Sequence, residues 1–245
     1  MDYDTFVEKQ KQYPRTVGND YLLPTELQRR FSYGVMTTGS DDRALFLYEK
    51  REGFTKLHFR LLNTSAKLKP PDGTLAAYLT YRQSRPPETA AGWLLDQGFS
   101  KTKTLRRHTA TQITGNLSTD GVERAAVDET YAMLGEHFSA EESDLPCREL
   151  FEGALCIRSQ EGSLIGALYM GQTLSVAVAT EARGQGTGRK LYRAYAAIKA
   201  GEDKKTTFHE WISPDNTASL AMFNNLGFTP DDVQTDIYVI KMPTV

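Results

Sequence analysis

One stretch limits this chain more than any other. It is Ser175-Val-Ala-Val-Ala-Thr-Glu-Ala-Arg-Gly-Gln-Gly-Thr-Gly-Arg-Lys-Leu191, an apolar run that passes through glycines at 184, 186 and 188 straight into a helical pattern. Glycine takes left-handed and crowded conformations that a side chain forbids, so these three clear the start of the helix. The first N–H groups of a helix have no partner within it, and the aligned peptide dipoles make that end positive. Strand, glycine turn and helix in this order predict an anion site, with a pyrophosphate as the fitting occupant. Two phosphate loops fail on their essential residues. A Walker loop needs Gly-Lys-Ser/Thr, whereas Arg189 separates Gly188 from Lys190 and Leu191 follows. A dinucleotide fingerprint needs a third glycine at the position held by Arg189.

The surrounding pattern is layered. The spacing of Val122, Ala125, Ala126, Tyr131, Leu134 and Phe138 predicts a helix over 121–138. Strands are predicted over 154–158, 163–170 and 173–179, then a helix over 186–200 stopped by Gly201. A strand over 206–213, a helix over 216–226 closed by Gly227 and a last strand over 236–242 complete this half. Interleaved strands and helices indicate an α/β (α+β) fold with some parallel pairing. The turn-rich segment 114–121 predicts a linker between a domain at 1–113 and one at 122–245. The first half has a related tail. Strands predicted at 75–81 and 105–113 flank a helix that ends at Gly98-Phe99, as 206–213 and 236–242 flank one that ends at Gly227-Phe228. Common α/β physics or a diverged internal duplication would both produce this.

Composition narrows the classes. A length of 245 residues allows one to two domains at about 150 residues each. Lys101, Lys103, Arg106 and Arg107 are too few for the basic stripe that nucleic acid requires, so no nucleic-acid partner is expected. No run approaches about 18 apolar residues, and Met-Asp-Tyr-Asp-Thr is neither basic nor apolar, so neither a membrane span nor secretion is expected. Cys147 and Cys156 make no disulfide framework or metal knuckle, which predicts no metal and a reduced, cytoplasmic setting.

The pattern Arg-x-x-Gly-x-Gly at 183–188, after a strand, is followed by Asn216 ahead of a helix that ends in Gly227-Phe228. Together these resemble the GNAT superfamily of N-acyltransferases, over residues 120 to 242. The first half looks like a partial, degenerate copy: it has no Arg-x-x-Gly-x-Gly, and Pro87 stands where the internal alignment puts Asn216. The resemblance implies a GNAT-like mixed central sheet flanked by helices, in a tandem arrangement, with acetyl-CoA or another acyl-CoA as co-substrate. It implies that the backbone at Ala177, Val178 and Ala179 holds the pantetheine arm. Arg183, Gly184, Gln185, Gly186, Thr187, Gly188 and Arg189 would bind the pyrophosphate, while Asn216, Ser219 and Phe223 would contact the cofactor. Lys190 and Arg193 could add charge on the same helix. The implied reaction moves an acetyl or other short acyl group from CoA to an amine of a small molecule by direct attack.

That reaction needs a base, because a free amine has a pKa near 10. The family's Tyr, seven residues after the Asn, is Phe223 here, and its Glu on the strand before the loop is missing, with only Gln172 and Ser175 available. Loss of the Tyr is survivable, since a thiol of pKa about 8.5 leaves as thiolate at pH 7 at a cost of about 2 kcal/mol. Candidate bases are His209 and Glu210, which alternate in direction so that one at most faces a cleft, and Glu141 and Glu142 in the acidic segment 139–144. An acidic rim there would favour a cationic acceptor. The competing reading is a catalytically inactive acyl-CoA-binding regulatory or scaffolding module, which Phe223 and Gln172 would permit.

Overall fold

A computed structural model describes residues 2–13, 17–19, 23–137, 146–151, 153–170, 174–202 and 207–242. Contacts gather the chain into two compact units, one of Met1–Thr104, Pro146–Leu150 and Val233–Val245, the other of Leu105–Leu145 and Phe151–Asp232.

The first unit holds helices α1 (Tyr3–Gln10) and α2 (Pro24–Ser32), strands β1 (Met36–Asp41), β2 (Ala44–Lys50), β3 (Thr55–Leu61) and β4 (Thr74–Arg82), helix α3 (Glu88–Asp96) and the start of β5 (Ser100–Ala110). The Asp2 carboxylate caps α1 by accepting from the Thr5 N–H, and Pro24 opens α2, where its missing N–H costs nothing. β1, β2 and β3 form an antiparallel meander. β3 and β4 then run parallel, but only from Thr55↔Leu75 to Leu57↔Ala77. β4 pairs antiparallel with residues 233–241 of the last strand, β11 (Thr229–Lys241). The core centres on Trp93, whose ring lies 5.9 Å from Phe46 and 4.8 Å from Phe59 while its indole N–H donates to the Ala66 carbonyl. Burying a side chain of this kind contributes about 1.5–3 kcal/mol.

The second unit contains β6 (Glu123–Ala125), α4 (Val127–His137), β7 (Ala154–Arg158), β8 (Leu164–Met170), β9 (Leu174–Val178), α5 (Thr187–Glu202), β10 (Phe208–Ile212) and α6 (Thr217–Asn225). β6, β7, β8 and β9 form an antiparallel sheet in that order, and β10 pairs antiparallel with residues 106–110 of β5. Alternation along the strands divides the core into two faces. Ala154, Ala167 and Ala177 take Met133 and Leu134 of α4, while Leu155, Ile157 and Leu168 take Leu191, Tyr192 and Ala194 of α5.

Several expected boundaries move. The helix predicted over 121–138 begins at Val127, because Glu123, Arg124 and Ala125 pair with Cys156, Leu155 and Ala154. Paired carbonyls and amides outweigh an apolar spacing that fits either element. The strands predicted at 105–113 and 236–242 begin earlier, at Ser100 and Thr229. β5 and β11 also run from one unit into the other, so the strand after α3 pairs in the second unit and the strand after α6 pairs in the first. For this reason the compact units divide the chain elsewhere than at 114–121. The recurring tail is present in both units, as β4, α3, Gly98, β5 and as β10, α6, Gly227, β11, with both glycines left-handed at φ 89° and 94°.

Among the described residues, no helix is long and apolar enough to cross a membrane, and no group of three His, Cys, Asp or Glu could hold a metal ion.

Candidate active site

β9 delivers the chain to the glycine loop. The Ala179 N–H donates to the Ile165 carbonyl at 3.0 Å, one 3-10 turn follows (Thr180–Ala182), and Arg183 Nε reaches back to the Val178 carbonyl at 3.2 Å. Gly184 and Gly186 adopt φ of 76° and 86°, which a side chain would strain. Gln185 donates to the Glu181 carbonyl and Thr187 to the Ala182 carbonyl, fixing the loop on itself. The first helical bond of α5 runs from the Lys190 N–H to the Gly186 carbonyl, so the N–H groups of Thr187, Gly188 and Arg189 lie ahead of the ladder. Gly188 is buried, and a Cβ there would lie 2.8 Å from Met222 Sδ, so its small size lets α6 close against the loop.

Beside this helix end lies a depression of about 490 Å³ lined by Gln185, Gly186, Arg189, Lys190 and Arg193, with Asn116, Ser118 and Asp120 from segment 114–121. Arg193 Nε donates to the Thr114 carbonyl at 3.1 Å and ties that segment to α5. Three cations and a helix N-terminus on one hollow suit phosphate groups. The part played by 114–121 was missed in the sequence, where its turn-forming residues suggested only a linker.

β9 uses one edge for β8, and β10 pairs with β5; among the described residues no ladder joins β9 to β10. The edge of β9 turned away from β8, at Val176 and Val178, therefore pairs with no described strand, and Arg183 Nε caps its Val178 carbonyl. Ala177 itself is buried against α4.

β10 separates the two candidate bases. Phe208, Glu210 and Ile212 turn into the core, while His209 is exposed on the other face. Glu210 accepts a hydrogen bond of 2.6 Å from the Tyr192 hydroxyl, and burial pushes its pKa up to about 8. A carboxyl that is protonated at neutral pH and enclosed in the core is not poised as a base. The pKa of His209 is lowered by partial burial and then by the Arg107 charge, against the pull of Asp231, so its imidazole is neutral at pH 7. Arg107 Nε sits 2.7 Å from Asp231 Oδ2, and Arg107 lies opposite Trp211 in the ladder beside His209.

The remaining expected residues have clear places. The Asn216 carboxamide caps α6 by accepting from the Ser219 N–H at 3.0 Å. Phe223 is buried, its ring 5.1 Å from both Tyr192 and Phe228, edge to face. Glu141, Glu142 and Gln172 lie outside the described residues.

The architecture is a mixed α/β fold with a left-handed glycine loop at the head of α5. Residues 127–228 match the model of the acetyltransferase (GNAT) family. Solved structures share the fold. A Drosophila protein is similar over 97% of this chain and 87% of its own, at 14% identity and a TM-score of 0.61. A GCN5-related N-acetyltransferase from Kribbella flavida is similar over 86% and 91%, at 15% identity and a TM-score of 0.54. A tandem GNAT protein from the clavulanic acid biosynthesis pathway is similar over 99% and 94%, at 12% identity and a TM-score of 0.54. No curated protein matches the chain in sequence.

Proposed function

We propose that this chain is an acyl-CoA-dependent N-acyltransferase that moves an acetyl or other short acyl group to the amine of a small molecule. The observation that carries the reading is the left-handed glycine loop at the head of α5, next to the cationic hollow and the open edge of β9. In this reading the domain at 122–245 does the chemistry and the half at 1–113 has no cofactor role. The acyl-CoA supplies the thioester. Ala177, Val178 and Ala179 hold its amide-bearing arm, the loop from Arg183 to Arg189 holds the pyrophosphate, and Asn216, Ser219 and Phe223 build the α6 side of the site. His209 takes the proton from the attacking amine. The cysteines are free and buried, which suits the reducing cytoplasm.

Acetyl-CoA at one hundred times its Kd should stabilise the protein by about 2.7 kcal/mol and raise Tm on the order of 5 to 10 °C. Gly186→Trp should abolish the rise. No shift with acetyl-CoA or longer acyl-CoAs would end the reading. A panel of amines assayed for CoA release then separates an enzyme from an inactive binding module. With the best amine, His209→Ala should lower kcat/KM about 100-fold while the Kd of acetyl-CoA is unchanged, the lower range for loss of a general base.

A further inference from the structure

The first unit contains its own parted pair of strands. β2 pairs with β3 from Ala44↔Leu61 to Lys50↔Thr55, so β2 takes one edge of β3 along its whole length. β4 takes the other edge only as far as Leu57. Beyond that point the groups on this edge are the Leu57 carbonyl, the Phe59 N–H and carbonyl and the Leu61 N–H, because residues two apart face the same way.

All four are satisfied by residues 17–19. The Asn19 N–H donates to the Phe59 carbonyl at 3.1 Å, and the Leu61 N–H donates to the Val17 carbonyl at 2.9 Å, around the antiparallel bridge Gly18↔Arg60. The Asn19 side chain, 5% exposed, continues the pattern as if it were another amide. Its Oδ1 accepts from the Phe59 N–H at 2.7 Å and its Nδ2 donates to the Leu57 carbonyl at 2.9 Å. A Cβ on Gly18 would collide with the Phe59 carbonyl oxygen, so only glycine lets the segment lie this close. Where the second unit places its glycine loop and α5 between β9 and β10, the first unit has only residues 62–73 between β3 and β4, with no helix.

We propose that the edge of β3 beyond Leu57 is a latent site for an extended chain bearing secondary amides, the chemistry of a pantetheine arm. Residues 17–19 are its built-in occupant. With them in place the chain takes up one acyl-CoA rather than two, a stoichiometry that rests on the function proposed above. Lacking an anion loop, the latent site recognises the amides and not the phosphates.

The test uses S-acetylpantetheine, which has the amides and no nucleotide, with amide exchange followed residue by residue in the full chain by NMR. In the wild type, Phe59 and Leu61 should exchange slowly and ignore the compound. In Gly18→Val they should exchange about tenfold faster, while His58 and Arg60, whose amides turn to β2, stay protected. Adding S-acetylpantetheine should restore the slow exchange. Phe59 and Leu61 remaining slow in the variant, or becoming fast with no restoration, overturns the proposal. If Gly18→Val also exposes His58 and Arg60, the first unit has opened as a whole. Asn19→Ala, which removes two bonds and adds no bulk, then gives the same readings at Phe59. Protection at Val176 and Val178, whose amides turn away from β8, reports separately on the proposed acyl-CoA site, so failure there is distinguishable from failure at β3.

Discussion

Glu49→Ala should lower the unfolding free energy by about 3–5 kcal/mol, the cost of removing one partner from a buried ion pair. Glu49, on β2, is fully buried. Its carboxylate accepts from Arg30 of α2, from Arg51 Nη2 at 3.0 Å and from His58 Nε2 at 2.9 Å. Burial alone would raise its pKa. The Arg51 charge, the His58 hydrogen bond and the Arg30 charge outweigh this and hold it well below the carboxylate range. The variant takes from two guanidinium groups of the first unit, each nine-tenths or more buried, the buried carboxylate they share, while Arg30 keeps Glu26 at 3.8 Å. The sign of the pH dependence follows from the depressed pKa. Stability from Glu49 is fully present above its unfolded pKa of 4.5 and is lost as pH falls below that value. Urea unfolding at pH 7 and pH 4 measures both effects. A loss under about 1 kcal/mol at pH 7 would show that the charges are relieved in another way.

Glu210→Gln should stabilise the protein at pH 9 by several kcal/mol and leave it nearly unchanged at pH 4. The wild-type carboxyl is buried beside Tyr192, and its pKa rises from 4.5 to about 8 because the charged form is desolvated. Below pH 4.5 both folded and unfolded chains hold the proton, so folding is unaffected. As pH rises from 4.5 to 8 the unfolded chain ionises freely while the folded chain does not, and stability falls through that window. Glutamine keeps an oxygen for the Tyr192 hydroxyl and has no proton to lose. Melting temperatures of both proteins from pH 4 to pH 9 give the comparison. Parallel curves would mean that Glu210 ionises without cost in the folded protein. Catalysis by His209→Ala falling while Glu210→Gln remains active would agree with the opposite faces of β10.

Local chemistry made part of this molecule legible in advance. Glycines at 184 and 186 occur where the backbone must turn left-handed, and the apolar run before them and the periodic run after them specify strand and helix over a few residues. The same holds for Asn216 and Gly227, which start and stop α6 through bonds within one turn. Alternation along β10 also implied that His209 and Glu210 face opposite ways.

Which of the two is enclosed was decided by tertiary packing. The core face of β10 is defined by where α5 lies, and no pattern local to 208–212 contains that information. The sequence by itself determined the elements whose signals close within a turn or a strand: the glycine loop, the cap of α6 and the repeated strand, helix, glycine, strand tail. Only the tertiary structure decided that residues 106–110 of β5 pair with β10 and residues 233–241 of β11 with β4, that 114–121 lines the cationic hollow, and that residues 17–19 fill the edge of β3. These are pairings between segments 38 or more positions apart, chosen by which unsatisfied backbone groups and charges meet after collapse, and a backbone edge leaves no mark on the side chains that come before it.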